Sequence, residues 1–409
     1  MATLILLLIS LWMGVAAEGC PAGCVCSPAV TDCSRAGLRN LPWDIAPQTE
    51  TLFLSDNQLT SILKGAFRNL TALTFLGLSR NKICPENDTL ESLINLLSLD
   101  VSENDLQSIP IGFLQAPFKM VWINLAKNQL KTLPDGTFAK LQSLTYLDLS
   151  DNSMLLHNNI FEGLARLNTL ILSGNRLTTI PSQLFDPTPK LQILDLSNNA
   201  LTHLPTRLLY HQHNLSDLIL NNNRFTQSVL PALRGLRNLR FLYLSGNSIS
   251  SLPPFPFINL SHLTKLTLSN NSLSKLPDGF LTGLYQLTVL DLSGNSIFWL
   301  PRDVFQNNTA LEYLYLDRND FSKMPMLLGL QNVQELKICC CKIHLWPAEV
   351  FISHMEDLEL LDLSSNFIAE MDFDLLKSNL NLKKVLMTNN PVCSTVSSKL
   401  SIVPPVTCI

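Results

Sequence analysis

The chain has 409 residues, 46% of them hydrophobic and only 15% charged, with a formal net charge of -4. That composition excludes a disordered chain, and the weak negative charge excludes nucleic-acid binding by bulk electrostatics. Ten cysteines are too few to make a chain this long a small disulfide scaffold, so their positions carry the information.

Residues 4–15 are almost unbroken apolar and end at Val15-Ala16-Ala17. A short apolar run before small residues predicts a secretion signal over 1–17, cut after Ala17. Its only positive group is the α-amino terminus, and an uncleaved anchor is the alternative. No later run reaches the roughly 18 apolar residues of a membrane helix, and 401–409 is too short and Pro-rich for one. The expectation is a secreted chain in the extracellular space or matrix.

Residues 18–48 hold Cys20, Cys24, Cys26 and Cys33. A zinc site is the rival reading, but a secretory context favours disulfides and an N-terminal cap. From 49 to 390 one slot recurs: Asn57, Asn81, Asn104, Asn128, Asn152, Asn175, Asn199, Asn223, Asn247, Asn271, Asn295, Asn319, Cys341, Asn366 and Asn390. The spacing is 23 or 24 residues, except 22 then 25 around Cys341. Each slot ends a pattern such as Leu144-x-x-Leu147-x-Leu149-x-x-Asn152. Alternation at Leu147 and Leu149 predicts a short strand with one buried face. The asparagine amide, donor and acceptor at once, is suited to satisfy the sharp turn that follows.

The return legs carry Leu-Pro or its equivalent at 133–134, 180–181, 204–205, 252–253, 276–277 and 300–301. Phe67, Phe113, Phe138, Phe161, Phe185, Phe257, Phe305 and Phe351 follow in register and are expected core. Residues 391–409 are expected to close the array, with Cys393 bridged to Cys408. The pattern and period resemble leucine-rich repeats. The resemblance implies an α/β solenoid of about 15 repeats, a leucine-rich repeat horseshoe with a parallel concave sheet and disulfide-bonded caps. At about 4.8 Å per strand the sheet runs on the order of 70 Å, room for a protein partner.

The cysteine cluster, Leu41-Pro42 and the repeats together resemble secreted proteins of the small leucine-rich proteoglycan type. Within that group they are most similar to nephrocan-like members. The resemblance implies cap bridges Cys20–Cys26 and Cys24–Cys33. It also implies capture of an extracellular protein ligand, with inhibition of transforming growth factor β signalling. The chain departs from the group in its closely spaced C-terminal cysteines, and in lacking an extended ear repeat and an acidic tail. The alternatives are a matrix protein binding collagen and a receptor-like or innate-immune decoy ectodomain.

No catalytic constellation stands out, so no enzyme and no cofactor are expected. His211 and His213 lack further ligands and read as a solvated loop, not a metal site. Six sequons, at Asn69, Asn87, Asn214, Asn259, Asn270 and Asn307, predict glycosylation. Asn69, Asn259 and Asn307 share one offset and so one face, away from the strands. Asn270 directly precedes a ladder asparagine. Three Ser-Gly pairs, at 173–174, 245–246 and 293–294, belong to the repeat's own turn and lack acidic flanks.

On the expected concave face, repeats 3 to 8 carry Asp100, Glu103, Asp148, Asp151, Asp195 and Asp217 against only Lys127. Repeats 9 to 15 balance Asp291, Asp317, Glu335 and Asp362 with Lys265, Arg318, Lys337 and Lys384. The acidic stretch would steer a basic partner, although aspartate is also common in such repeats. Phe75, Trp122, Tyr146, Phe241, Tyr243, Tyr313 and Tyr315 are expected binding anchors on this face. Cys84 and Cys339 to Cys341 are left free or bridged, with Cys341 expected as a buried structural thiol. Neither nucleic acid nor a membrane span is expected as part of function, and the sequence leaves oligomeric state open.

Overall fold

The computed structural model describes residues 20–116, 119–346, 355–396 and 406–408. The predicted secretion signal and Phe351 lie outside these residues. The chain divides into two compact units, residues 1–152 with 162–164, and residues 153–161 with 165–409.

In the first unit β1 (Val25–Cys26) and β2 (Val30–Asp32) form an antiparallel hairpin. Parallel strands follow in unbroken register: β3 (Thr51–Phe53), β4 (Phe75–Gly77), β5 (Ser98–Asp100), β6 (Trp122–Asn124) and β7 (Tyr146–Asp148). The second unit repeats the arrangement with β8 (Thr169–Ile171), β9 (Ile193–Asp195), β10 (Asp217–Ile219), β11 (Phe241–Tyr243), β12 (Lys265–Thr267) and β13 (Val289–Asp291). It continues with β14 (Tyr313–Tyr315), β15 (Glu335–Lys337), β16 (Leu360–Asp362), β17 (Lys384–Leu386) and β18 (Val406–Thr407). Every ladder residue follows one strand from β3 to β17, so the period read from the sequence is a turn of a parallel-sheet solenoid. The middle residue of each of these strands is buried, and most of the residues flanking it are half-buried.

The return legs are successions of turns, with 3-10 segments at Ile111–Leu114, Gln227–Leu233 and Phe373–Ser378. Among the described residues the α-helix is α1 (Val392–Val396). Tight turning lets one leg pack on the next. At Gly283, with φ at +90°, an added Cβ would lie 2.7 Å from the Ile258 carbonyl oxygen of the preceding leg, so only glycine fits there.

The ladder amides work as the sequence pattern requires. The Asn81 amide nitrogen donates to the carbonyls of Leu54 (2.9 Å), Leu78 (3.1 Å) and Ser79 (3.2 Å). Its oxygen accepts from the Leu59 N–H at 3.0 Å. The residue just before the slot takes a left-handed backbone, as at Asp56, Arg80, Glu103 and Lys127. Cys341 fills its slot with a thiol. It accepts from the Asn319 N–H at 3.4 Å and donates to the carbonyls of Leu316 (3.6 Å) and Cys339 (3.4 Å).

Phe67, Phe113, Phe138, Phe161, Phe185, Phe257 and Phe305 are buried. The core also takes Phe280, at the same repeat offset, and Phe225 and Phe321, which replace the leucine two residues past a ladder asparagine. Cys20 bonds Cys26, Cys24 bonds Cys33, and Cys393 bonds Cys408.

Candidate binding face

Pairing in register turns the two outward positions of each strand into two rows. In the first unit one row runs Thr51, Phe75, Ser98, Trp122, Tyr146, and the other Phe53, Gly77, Asp100, Asn124, Asp148. Trp122 stacks on Tyr146, with ring centroids 5.5 Å apart and planes 15° apart. Phe53, which the sequence reading passed over, tilts against Phe75 at 5.2 Å. A Cβ at position 77 would lie 3.2 Å from the Phe75 ring, and glycine leaves that ring room. These aromatics are half-buried by lying on one another, and their outer faces stay open. No lysine or arginine stands on β1 to β7.

The strand-end acids have a structural duty. Asp100, Asp148, Asp195, Asp291 and Asp362 each accept, through one carboxylate oxygen, the N–H of the serine two residues on, at 2.8–3.0 Å. Asn124 caps Ala126 in the same way at 3.0 Å. These carboxylates close their own turns and keep a second oxygen. The Asp148 second oxygen accepts from the Tyr146 hydroxyl at 3.5 Å.

Glu103 differs from the other acids counted on this face. It pairs with Arg80 at 3.2 Å and Lys127 at 3.5 Å, and Asp56 pairs with Arg35 at 3.4 Å and Arg80 at 3.5 Å. Arg35, Asp56, Arg80, Glu103 and Lys127 thus alternate in sign along the loop edge of the face. The bond from Arg80 draws the Glu103 carboxyl below its usual range. Its contribution to stability is therefore present above that range and lost as pH falls. Asp151 is exposed in the same edge slot.

Burial, then the charge of Asp148, pushes the Tyr146 hydroxyl from 10.0 up to about 12. A phenolate absorbance titration is expected to find this tyrosine ionising near there. Between the two values the unfolded chain loses its proton first, so the stabilisation drains away as pH rises through that window. A Tyr146→Phe variant that leaves the late phase of the titration unchanged would refute the assignment.

In the second unit Asp195 and Asp217 are half-buried on β9 and β10, with Ser216 donating its hydroxyl to Asp217. Register places Phe241, Lys265, Val289 and Tyr313 in one row and Tyr243, Thr267, Asp291 and Tyr315 in the other. The aromatic pairs on β11 and β14 stand three strand spacings apart, about 14 Å. Each carries a cation: Arg240 lies 5.4 Å from the Phe241 ring, Lys265 5.4 Å from Tyr243, and Lys337 5.0 Å from Tyr315. Lys337 also pairs with Glu335. Tyr313 donates to the Gln334 side-chain oxygen at 3.3 Å. Desolvation pushes the Asp317 carboxyl up, against the Cys339 N–H that its oxygen accepts at 2.9 Å. Arg318 is exposed beside it, and Lys384 is exposed on β17. Lys265 and Lys337 are thus tied to rings, and Asp291 and Asp317 to turns.

All six sequon asparagines are exposed. Asn214 donates to the Pro189 carbonyl at 3.1 Å, and Asn87 accepts from the Gly112 N–H at 3.1 Å, so both side chains also brace the turns. His211 packs edge-on against Tyr210. Among the described residues no group of three His, Cys, Asp or Glu is placed to hold a metal ion, and no helix is long and apolar enough to cross a membrane. Cys84 is exposed and lies beside Ser61.

Parallel register, the asparagine ladder and an outward face of rings and carboxylates define a repeat protein built around an extended sheet. The chain belongs to the leucine-rich repeat family, whose model matches residues 46–83, 94–154, 118–177, 155–201, 189–249 and 261–321. It is similar to mouse keratocan, 31% identical over 171 residues that make up 40% of this chain and 48% of keratocan. It is also similar to mouse podocan, 32% identical over 151 residues, 36% of this chain and 24% of podocan. The chain spans about half the length of the keratocans it matches. A leucine-rich repeat protein of Leptospira interrogans superposes with a TM-score of 0.81 at 26% identity, over 92% of this chain and 94% of that one. The glycosylated Drosophila Toll–Spätzle complex gives 0.71 at 25% identity, over 82% and 47%.

Proposed function

We propose that this chain is a secreted, non-enzymatic protein binder that captures an extracellular ligand on its strand face. On this reading residues 1–17 are a cleaved signal, 18–48 and 391–409 are caps, and 49–390 is the binding array. The observation that carries it is the first unit's face. Stacked Trp122 and Tyr146, tilted Phe53 and Phe75, and the second oxygens of Asp100 and Asp148 stand there with no cation on the strands. Aromatic faces beside carboxylates favour a ligand rich in arginine or lysine, through cation–π contact and charge pairing.

The nephrocan-like cysteine cluster and repeat number support a specific ligand class, growth factors of the transforming growth factor β type, and inhibition of their signalling by capture. Relatives such as keratocan and podocan support an extracellular setting, and Toll supports protein capture, because it is held in a complex with Spätzle.

The test is surface capture by the purified chain of transforming growth factor β, a bone morphogenetic protein and fibrillar collagen, each at two salt concentrations. Growth-factor binding that weakens with salt is expected, with roughly tenfold or greater loss in Trp122→Ala or in the paired Asp148→Lys and Asp195→Lys variant. Collagen binding alone, unchanged by these substitutions, would overturn the reading in favour of a matrix organiser. Silence with all three would leave a receptor-like decoy in its place.

A further inference from the structure

The three consecutive cysteines of the thirteenth repeat divide by chemistry. Cys341 is buried in the ladder slot, while Cys340 is exposed and Cys339 half-buried beside it. The Sγ atoms of Cys339 and Cys340 lie 3.1 Å apart. Neighbouring repeats hold the peptide that joins them. The Arg318 N–H donates to the Cys339 carbonyl, the Cys340 N–H to the Ser364 carbonyl, and the Cys339 N–H to the Asp317 carboxylate, each at 2.9 Å. Cys340 has a left-handed backbone, φ 55°, which the turn imposes at this slot in most repeats. The fold therefore presses two thiols together for reasons unrelated to either. A disulfide bond of about 2.05 Å needs an approach of only about 1 Å more. The Cys20–Cys26, Cys24–Cys33 and Cys393–Cys408 bridges place the chain in a compartment where such thiols oxidise.

We infer that Cys339 and Cys340 form a reversible dithiol–disulfide centre at the edge of the strand face, exchanging with low-molecular-weight disulfides and thiols. In the forward direction the exposed Cys340 thiolate attacks a disulfide R–S–S–R, forms Cys340–S–S–R and expels one thiolate, RS⁻. The Cys339 thiolate then attacks the Cys340 sulfur, closes the Cys339–Cys340 bond and expels the second RS⁻. Two protein thiols are oxidised and one external disulfide is reduced; the two protons released by Cys339 and Cys340 are taken up, through solvent, by the two expelled RS⁻ groups to give two R–SH. Excess thiol reverses both steps.

The bond formed is a weak one. Adjacent Cα atoms are about 3.8 Å apart, below the 4.4–6.8 Å usual across a disulfide, so closure strains the backbone. Strained, exposed disulfides are the readily reduced ones. Burial, with Cys340, Asp317 and Asp362 alongside, holds the Cys339 thiol protonated, while Lys337 faces Asp317. The second step therefore quickens as pH rises. The centre adjoins Tyr315 through Asp317 and Lys337.

The test equilibrates the purified full chain with oxidised and reduced glutathione over a range of ratios. Acid quenching, alkylation and peptide mass mapping follow. The expected peptide in oxidised glutathione is two hydrogens lighter across 339–340, with Cys341 alone alkylated after denaturation. It should open at ratios that leave the three other bridges intact. A Cys339→Ser variant should retain glutathione on Cys340, and Cys340→Ser should leave Cys339 alkylatable. Alkylation of both wild-type cysteines in oxidised glutathione would overturn the proposal. So would a disulfide from Cys340 to a second chain, seen as a dimer on a non-reducing gel.

Discussion

Replacing Phe185 with alanine is expected to cost about 3–5 kcal/mol, among the largest losses any single substitution in this chain should produce. The ring is fully buried and stacks on Phe161, with centroids 6.3 Å apart. It belongs to the wall of phenylalanines that fills the gap between successive return legs, so its removal leaves a cavity that no polar neighbour can fill. The backbone there is also a structural acceptor. The Phe185 carbonyl takes bonds from Gln212 at 2.7 Å and Thr188 at 2.9 Å, so legs that shift to close the cavity would stretch both. Denaturant titration by circular dichroism reads the loss. Phe185→Leu should lose less than half as much, because it keeps most of the volume. Equal losses for leucine and alanine would show that packing volume is not the cause.

The Asn295→Ala variant is expected to lose about 2–4 kcal/mol for a different reason. The Asn295 amide donates to the carbonyls of Leu268 (3.0 Å), Leu292 (3.0 Å) and Ser293 (3.3 Å). Its oxygen accepts from the Leu273 N–H at 3.0 Å. Alanine leaves these turn groups without the side chain that joins two repeats. Repeat stabilities are coupled to their neighbours, so the loss should be local. Hydrogen exchange should therefore show the Leu273 amide losing protection ahead of the strands of distant repeats. Uniform loss along the chain would contradict this account. Cys341 sets the scale of tolerance, since its longer thiol contacts already occupy one slot.

The strands, the ladder and most of the phenylalanine wall were legible because each recurs at the period that brings successive turns into contact. A residue's neighbours in space are its own equivalents about 24 positions away, so repetition is itself contact information. Phe225 and Phe321 escaped because they sit in a leucine slot, where an aromatic breaks the pattern without breaking the packing. The ion pairs of Glu103 were not read from the sequence for a related reason. Counted alone it is an acid on the face, but Arg80 and Lys127 fill the same slot one repeat to each side and pair with it. The signal was present as an alternation of sign just before the ladder residues. The half-burial of Trp122 and Tyr146 was not legible, because outward strand positions do not reveal that large rings lie down on each other.

The turn bond made by the strand-end aspartates has a consequence for how such a face diversifies. Only one carboxylate oxygen closes the turn, and the amide oxygen of Asn124 closes it with the same geometry, at 3.0 Å against 2.9 Å for Asp148. Aspartate and asparagine are therefore interchangeable to the fold and opposite to a charged ligand. The electrostatic text of the face can be rewritten one repeat at a time, charge by charge, on a backbone that does not register the edit.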